Sequence, residues 1–161
     1  ALGAAVAAAV AVAGCGGSGS SGPAYAAVQL FDDDTTVSVA DLAGSPALLV
    51  SWATWCHACD EELAGLQEFA SSDAATDVRI VAVNLDAAAV DAQIREKVER
   101  HGLTVELWRD RRNNFRQAFG ALGVPTTVLL DRDGTVLGVF PGAVDFDSHD
   151  VTTALAEARV G

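Results

Sequence analysis

The chain has 161 residues, enough for one domain, and half of them are apolar, so a real core can be built. Its net charge of −12 at pH 7 argues against duplex nucleic acid or an anionic membrane face as partner, because both repel an acidic surface. Three cysteines exclude a disulfide-dense mini-scaffold.

Residues 1–13 form an uncharged apolar run (ALGAAVAAAVAVA). It is shorter than the ~20 residues of a membrane-spanning helix and matches the ~7–15 residues of a signal-peptide apolar region. The run ends in Val12-Ala13-Gly14-Cys15, which resembles the lipobox of bacterial lipoproteins: an aliphatic residue, two small residues, then the cysteine that takes the lipid. A buried Ala-rich helix is the competing reading. The Gly/Ser stretch from Gly16 to Pro23 argues against it, because such a tether cannot pack. The expected organisation is a signal-peptide remnant over 1–14, a lipidated Cys15 with its tether over 15–24, and one domain over 25–161. With Cys15 lipidated, Cys56 and Cys59 remain as the thiols.

Beyond the tether, strand and helix signals alternate. Val28–Phe31 reads as a short strand, Asp32–Asp34 as a solvated acidic turn (a calcium site is the minor alternative), and Thr35–Val39 as β-rich. Asp41–Gly44 is a turn before Pro46. Ala47–Ala53 is a nearly continuous apolar run, as a strand buried on both faces requires. Cys56 or His57 to Ala70 has helical spacing through Leu63, Leu66 and Phe69. Val78–Leu85 is a second buried strand. Val90, Ile94 and Val98 fall four apart, predicting an amphipathic helix over Ala87–His101 stopped by Gly102. Within it lies Lys97, the only lysine. Val105–Trp108 is a short strand and Asn113–Phe119 a short helix ending at Gly120. Thr126–Asp131 and Thr135–Phe140 are strands joined by a Gly-containing hairpin. Ser148–Arg159 is a closing helix. The order predicts an α/β sandwich with a mixed central sheet flanked by helices. Trp52 and Trp108 are assigned to the core and Trp55 to an exposed lip. Arg109, Arg111, Arg112 and Arg116 are assigned to a solvated basic face, with a docking patch as the alternative.

The chemistry concentrates in Ser51-Trp52-Ala53-Thr54-Trp55-Cys56-His57-Ala58-Cys59. A strand runs into a Cys-x-x-Cys and a helix opens at once. Free N–H groups and the dipole at a helix N-terminus stabilise an anion, so the Cys56 thiol is expected below its ordinary value of about 8.5. Cys59, one turn on, is placed to close a disulfide with it. The pair can attack a substrate disulfide, hold it as a mixed disulfide and resolve it. Half of a zinc site is the alternative, but zinc takes four ligands and no second Cys-x-x-Cys exists.

Trp52-Ala53-Thr54-Trp55-Cys56-x-x-Cys59-x-x-Glu62 is similar to the thioredoxin superfamily, and more narrowly resembles the TlpA/ResA-like thiol-disulfide oxidoreductases of the bacterial cell envelope. Val124-Pro125-Thr126-Thr127-Val128-Leu129-Leu130-Asp131-x-Asp133-Gly134 resembles the family's second hallmark. The resemblance spans about residues 25–160 and implies a thioredoxin-like fold. It implies that Cys56 attacks, Cys59 resolves, and Pro125 is cis, leaving the backbone of Val124 free to pair with an extended substrate beside Trp55. It also implies that Glu62 is an active-site acid exchanging a proton with Cys59; a glutamate that merely favours the helix dipole is the alternative. The buried acid of ordinary thioredoxins falls at Val50 here. Two departures stand out: Ala58 replaces the usual proline before the second cysteine, and Leu63 the one after the glutamate. His57 either stabilises the thiolate as a cation, making the pair more oxidising, or is simply exposed.

The resemblance therefore implies an extracytoplasmic protein thiol-disulfide oxidoreductase with no organic cofactor; the lipobox and tether add a membrane anchor, and the net charge favours a monomer. Its implied direction is reduction, with substrates such as the haem-attachment cysteines of apocytochromes c and electrons from a membrane partner. The rivals are a disulfide-introducing oxidant of the same fold, a thiol peroxidase, and a copper-handling protein using His149.

Overall fold

The computed structural model describes residues 28–31 and 35–160. Cys15, the tether and the Asp32–Asp34 turn lie outside the described residues. The elements are β1 (Val28–Leu30), β2 (Thr36–Val37), β3 (Ala47–Trp52), α1 (Ala58–Ala70), β4 (Arg79–Asn84), α2 (Asp91–His101), β5 (Glu106–Arg109), α3 (Asn114–Phe119), β6 (Thr126–Leu130), β7 (Val136–Pro141) and α4 (His149–Val160). Short 3-10 turns occupy Val39–Leu42 and Asp73–Ala75.

The strands form one mixed sheet in the order β2-β1-β5-β4-β3-β6-β7. β3, β4 and β5 run parallel, while β6 is antiparallel to β3 and β7 to β6. The continuous apolar run of β3 has a simple cause: all six residues are buried, and they alternate between two cores. Leu48, Val50 and Trp52 face a cluster with Leu63, Leu66 and Phe69 of α1, Ile94 of α2, and Val151 and Leu155 of α4. Ala47 and Leu49 face the opposite cluster with Trp108, Phe115 and Phe119. Alternation at period 2 across a sheet covered on both sides gives this pattern. Trp52 and Trp108 are core residues, as their placement in strands predicts.

Three boundaries differ from the periodicity. The β-rich stretch from Thr35 yields only two strand residues, because the Asp41 carboxylate accepts hydrogen bonds from the Ser38 N–H (2.7 Å) and hydroxyl (3.0 Å) and turns the chain. The second helix starts at Asp91 rather than Ala87, because Arg109 takes the carbonyls of Asp86 and Ala88 that a helix would use. α1 begins at Ala58, one residue beyond His57, whose backbone is already helical and whose side chain makes no capping bond. Gly102 and Gly120 end α2 and α3 at φ of 59° and 66°, a left-handed conformation that glycine adopts without a Cβ penalty.

Candidate active site

The carboxyl end of β3 delivers the site. Ala53 leaves the strand, a turn closed by the Cys56 N–H to Ala53 carbonyl bond (3.2 Å) follows, and α1 opens behind it. Cys56 and Cys59 are joined by a disulfide with S–S 2.12 Å and Cα–Cα 5.3 Å. Cys56 keeps a sliver of exposure and Cys59 keeps none. The Cys59 N–H, one of the first amides of α1, donates to Cys56 Sγ at 3.1 Å. A helix-terminal amide aimed at that sulfur is the arrangement that stabilises a thiolate. The asymmetry leaves Cys56 as the sulfur that solvent can reach and Cys59 as the enclosed one.

Glu62 lies three residues beyond Cys59 on α1, a spacing that puts both on one helix face. It is 2% exposed. Burial pushes its carboxyl up from 4.5 to about 7, against the pull of a hydrogen bond from Thr127 Oγ1 and a weaker one from the Val144 backbone that does not satisfy Oε2. Val50, where ordinary thioredoxins carry their acid, is buried in the core of β3, so Glu62 is the carboxyl nearest in chain to the cysteines on the buried side.

The second sequence hallmark arrives beside the first. β6 pairs with β3 from Ser51↔Thr126 to Ala47↔Leu130, so the chain just before β6 sits at the β3 end that carries the cysteines. The Val124–Pro125 peptide bond is cis. Pro125 is buried and Val124 half-buried. Trp55 is 70% exposed and Leu122 85%, and with Leu85, Gly123, Val124 and Arg116 they line a groove of about 220 Å³. His57 and Ala58 are exposed at the mouth of the pair. Thr54, two residues before Cys56, donates its hydroxyl to Asp86 Oδ1 (3.0 Å). Among the described residues no three His, Cys, Asp or Glu side chains gather as a metal site.

Three site-supporting groups escaped the sequence. Arg109 is 4% exposed, which corrects its assignment to a solvated face. It donates to Asn84 Oδ1 at 2.5 Å, to Ala88 O at 2.7 Å and to Asp86 O. Asn84 in turn donates to Asp86 (2.8 Å), and Asp86 Oδ2 accepts the Thr54 N–H at 2.8 Å. A buried polar chain therefore runs from β5 to the loop before Cys56. Lys97 reaches the same loop from α2, and Thr127 reaches Glu62 from β6. The only sequence signal was the unusual one of a lone lysine beside a helix's apolar stripe.

Residues 22–139 match the AhpC/TSA family. The thiol-disulfide oxidoreductase ResA of Oceanobacillus iheyensis is 28% identical over 115 residues, covering 71% of this chain and 59% of that protein. ResA of Geobacillus thermodenitrificans is 31% identical over 104 residues, covering 65% and 59%. The match thus spans about three fifths of these curated relatives (59% in each). The crystal structure of a candidate thiol:disulfide interchange protein DsbE from Chlorobium tepidum superposes with a TM-score of 0.71 at 26% identity, over 85% of this chain and 96% of that one. On the family match, the shared fold and these relatives, the chain belongs to the AhpC/TSA family, as a thioredoxin-like protein of the TlpA/ResA kind.

Proposed function

We propose that this chain is an extracytoplasmic protein thiol-disulfide oxidoreductase that works as a reductase, anchored to a membrane through a lipidated Cys15. The observation that carries the reading is the buried Cys56–Cys59 pair at the N-terminus of α1, with an amide on the outer sulfur and a glutamic acid on the inner one's helix face. Relatives named thiol-disulfide oxidoreductase support it.

In the reaction, the Cys56 thiolate attacks one sulfur of a substrate disulfide. A Cys56–substrate disulfide forms and the other substrate sulfur leaves as a thiolate that takes a proton. Cys59 then loses its proton to Glu62, attacks Cys56 Sγ and expels the second substrate thiolate. Two electrons pass from the dithiol to the substrate, and the Cys56–Cys59 disulfide remains. A dithiol-bearing membrane partner reverses that last state by the same exchange. The substrate strand lies along Val124 and Pro125, with Trp55 forming one wall. Haem-attachment cysteines of apocytochromes c fit as substrates, being protein disulfides outside the cytoplasm. No organic cofactor enters this sequence, since both electrons reside on the cysteine pair, and a monomer suffices.

The reduction potential of the pair tests the direction. A value near about −270 mV, that of thioredoxin, supports the reductase. A value near about −120 mV overturns it in favour of an oxidant that introduces disulfides, with the exposed His57 as the group to vary.

A further inference from the structure

Lys97 is the chain's only lysine, yet its residue is 4% exposed. Its Nζ donates to Cys56 O at 2.7 Å and Ala53 O at 3.3 Å, and lies 3.5 Å from Thr54 O. Among the described residues its carboxylate partner is Asp60, with Oδ1 at 3.1 Å. A buried ammonium is costly to desolvate, and an apolar side chain would fill such a slot beside the core without that cost. The position therefore asks what the charge does.

The geometry points inward. All three carbonyls belong to the turn that presents Cys56, and an ammonium's three N–H donors are used up on this turn and on Asp60. Asp60 is a third exposed and also binds His101 Nε2 at 2.9 Å. Burial pushes its carboxyl up, but the bonds from His101 and Lys97 outweigh that and hold it below the usual carboxylate value. Water screens Asp60 more than it screens the ammonium, so the cation is only partly neutralised on the side facing the turn. The other ionisable groups around the turn are His57 directly after Cys56, Cys59 and Glu62 from α1, His101 from α2, and Asp86 with Arg109 behind Thr54.

We propose that Lys97 is a positioning residue for thiol-disulfide exchange: it locks the Ala53–Cys56 backbone and supplies the positive charge that favours the Cys56 thiolate. This deepens the reading of Cys56 as the attacking sulfur and rests on it. By favouring the thiolate it also favours the reduced pair, so its loss makes the protein more strongly reducing.

The test is the pH profile of iodoacetamide alkylation in the fully reduced full-length chain, with tandem mass spectrometry assigning label to Cys56. The wild type is expected to titrate below the ordinary thiol value of about 8.5. In Lys97→Met the midpoint rises by about one unit, a roughly tenfold loss of thiolate at a fixed pH below it, as expected for removing one nearby charge at an effective dielectric constant of about 20. Lys97→Arg retains the low midpoint. Asp60→Asn leaves the ammonium uncompensated and shifts the midpoint down, whereas a role limited to packing moves both variants in one direction. A Lys97→Met profile that overlays the wild type overturns the proposal, as does an upward shift in Asp60→Asn. The latter two-sided readout serves if Lys97→Met does not fold. A wild-type Cys56 that titrates at or above the ordinary value instead overturns the reading of Cys56 itself.

Discussion

Thr127 Oγ1 on β6 donates a hydrogen bond to Glu62 Oε1 on α1, between two side chains that solvent scarcely reaches. Burial nevertheless dominates and raises the carboxyl to about 7. Below pH 4.5 the group is protonated in both folded and unfolded chains. Between 4.5 and about 7 the unfolded chain ionises first, so the folded state loses stability as pH rises through that window and levels off above it. The full loss is on the order of 3 kcal/mol. Glu62→Gln does not suffer it. The variant is expected to exceed the wild type by about 1–3 kcal/mol at pH 8 and to match it at pH 4. Urea denaturation at the two pH values measures this, and a pH-independent difference would contradict it.

The same substitution bears on turnover. With Glu62 as the proton acceptor for Cys59, disulfide exchange by the wild type carries an ionisation near 7 in its pH–rate profile. Glu62→Gln removes that ionisation and slows the resolving step by about 10²-fold, the lower range for loss of a general base. Stopped-flow rates between pH 5 and 9 report it. A profile that keeps its shape returns Glu62 to a structural role.

The two cysteines separate by experiment. Cys56→Ser abolishes exchange with protein disulfides. Cys59→Ser still attacks but cannot resolve, and accumulates mixed disulfides visible on non-reducing gels. Full turnover by Cys59→Ala would refute the dithiol mechanism.

Arg109 and Arg112 sit three residues apart and should behave oppositely. Arg109→Met leaves Asn84 Oδ1 and the carbonyls of Asp86 and Ala88 without their buried donor. The expected cost is about 3–5 kcal/mol, the range for breaking a buried charged network. Arg112 is exposed, and Arg112→Ala is expected to stay within about 0.5 kcal/mol. Thermal and urea unfolding of the pair distinguish them.

Trp55 buries little of itself, so Trp55→Ala should leave the melting temperature unchanged. Trp55 lines the groove where the proposed function docks substrate, so its loss should raise KM for a protein disulfide severalfold while leaving the rate with a small-molecule disulfide near the wild-type value. An equal effect on both substrates would place Trp55 in the chemistry rather than in docking.

Local pattern made much of this molecule legible. The run from Ala47, the stripe of Leu63, Leu66 and Phe69, and the Arg132-Asp133-Gly134 hairpin each encode their element within a few residues, and the Cys-x-x-Cys marks the site at their junction. The supports of the site were not legible, because they act over long separations in sequence. Lys97 reaches a carbonyl 41 residues away, Thr127 a carboxyl 65 residues away, and Arg109 an amide oxygen 25 residues away. A cationic side chain inside a cluster of arginines reads as surface, and only the sheet register that sets β5 beside β4 turns Arg109 inward. The lone lysine was visible as an oddity of composition, but no local rule says that a helix residue will seek carbonyls of a turn.

Val124 and Thr127 are three residues apart at the entry to β6, one lining the groove and the other bonded to the Glu62 carboxyl. A single short segment of backbone thus serves as both doorstep and latch. On the proposed function, a peptide settling against Val124 would press on the stretch that holds Glu62, and so would join its arrival to the readiness of the inner sulfur to give up its proton. With the inner sulfur sealed from water, such a connection would let the interior register an event at the surface without opening to solvent.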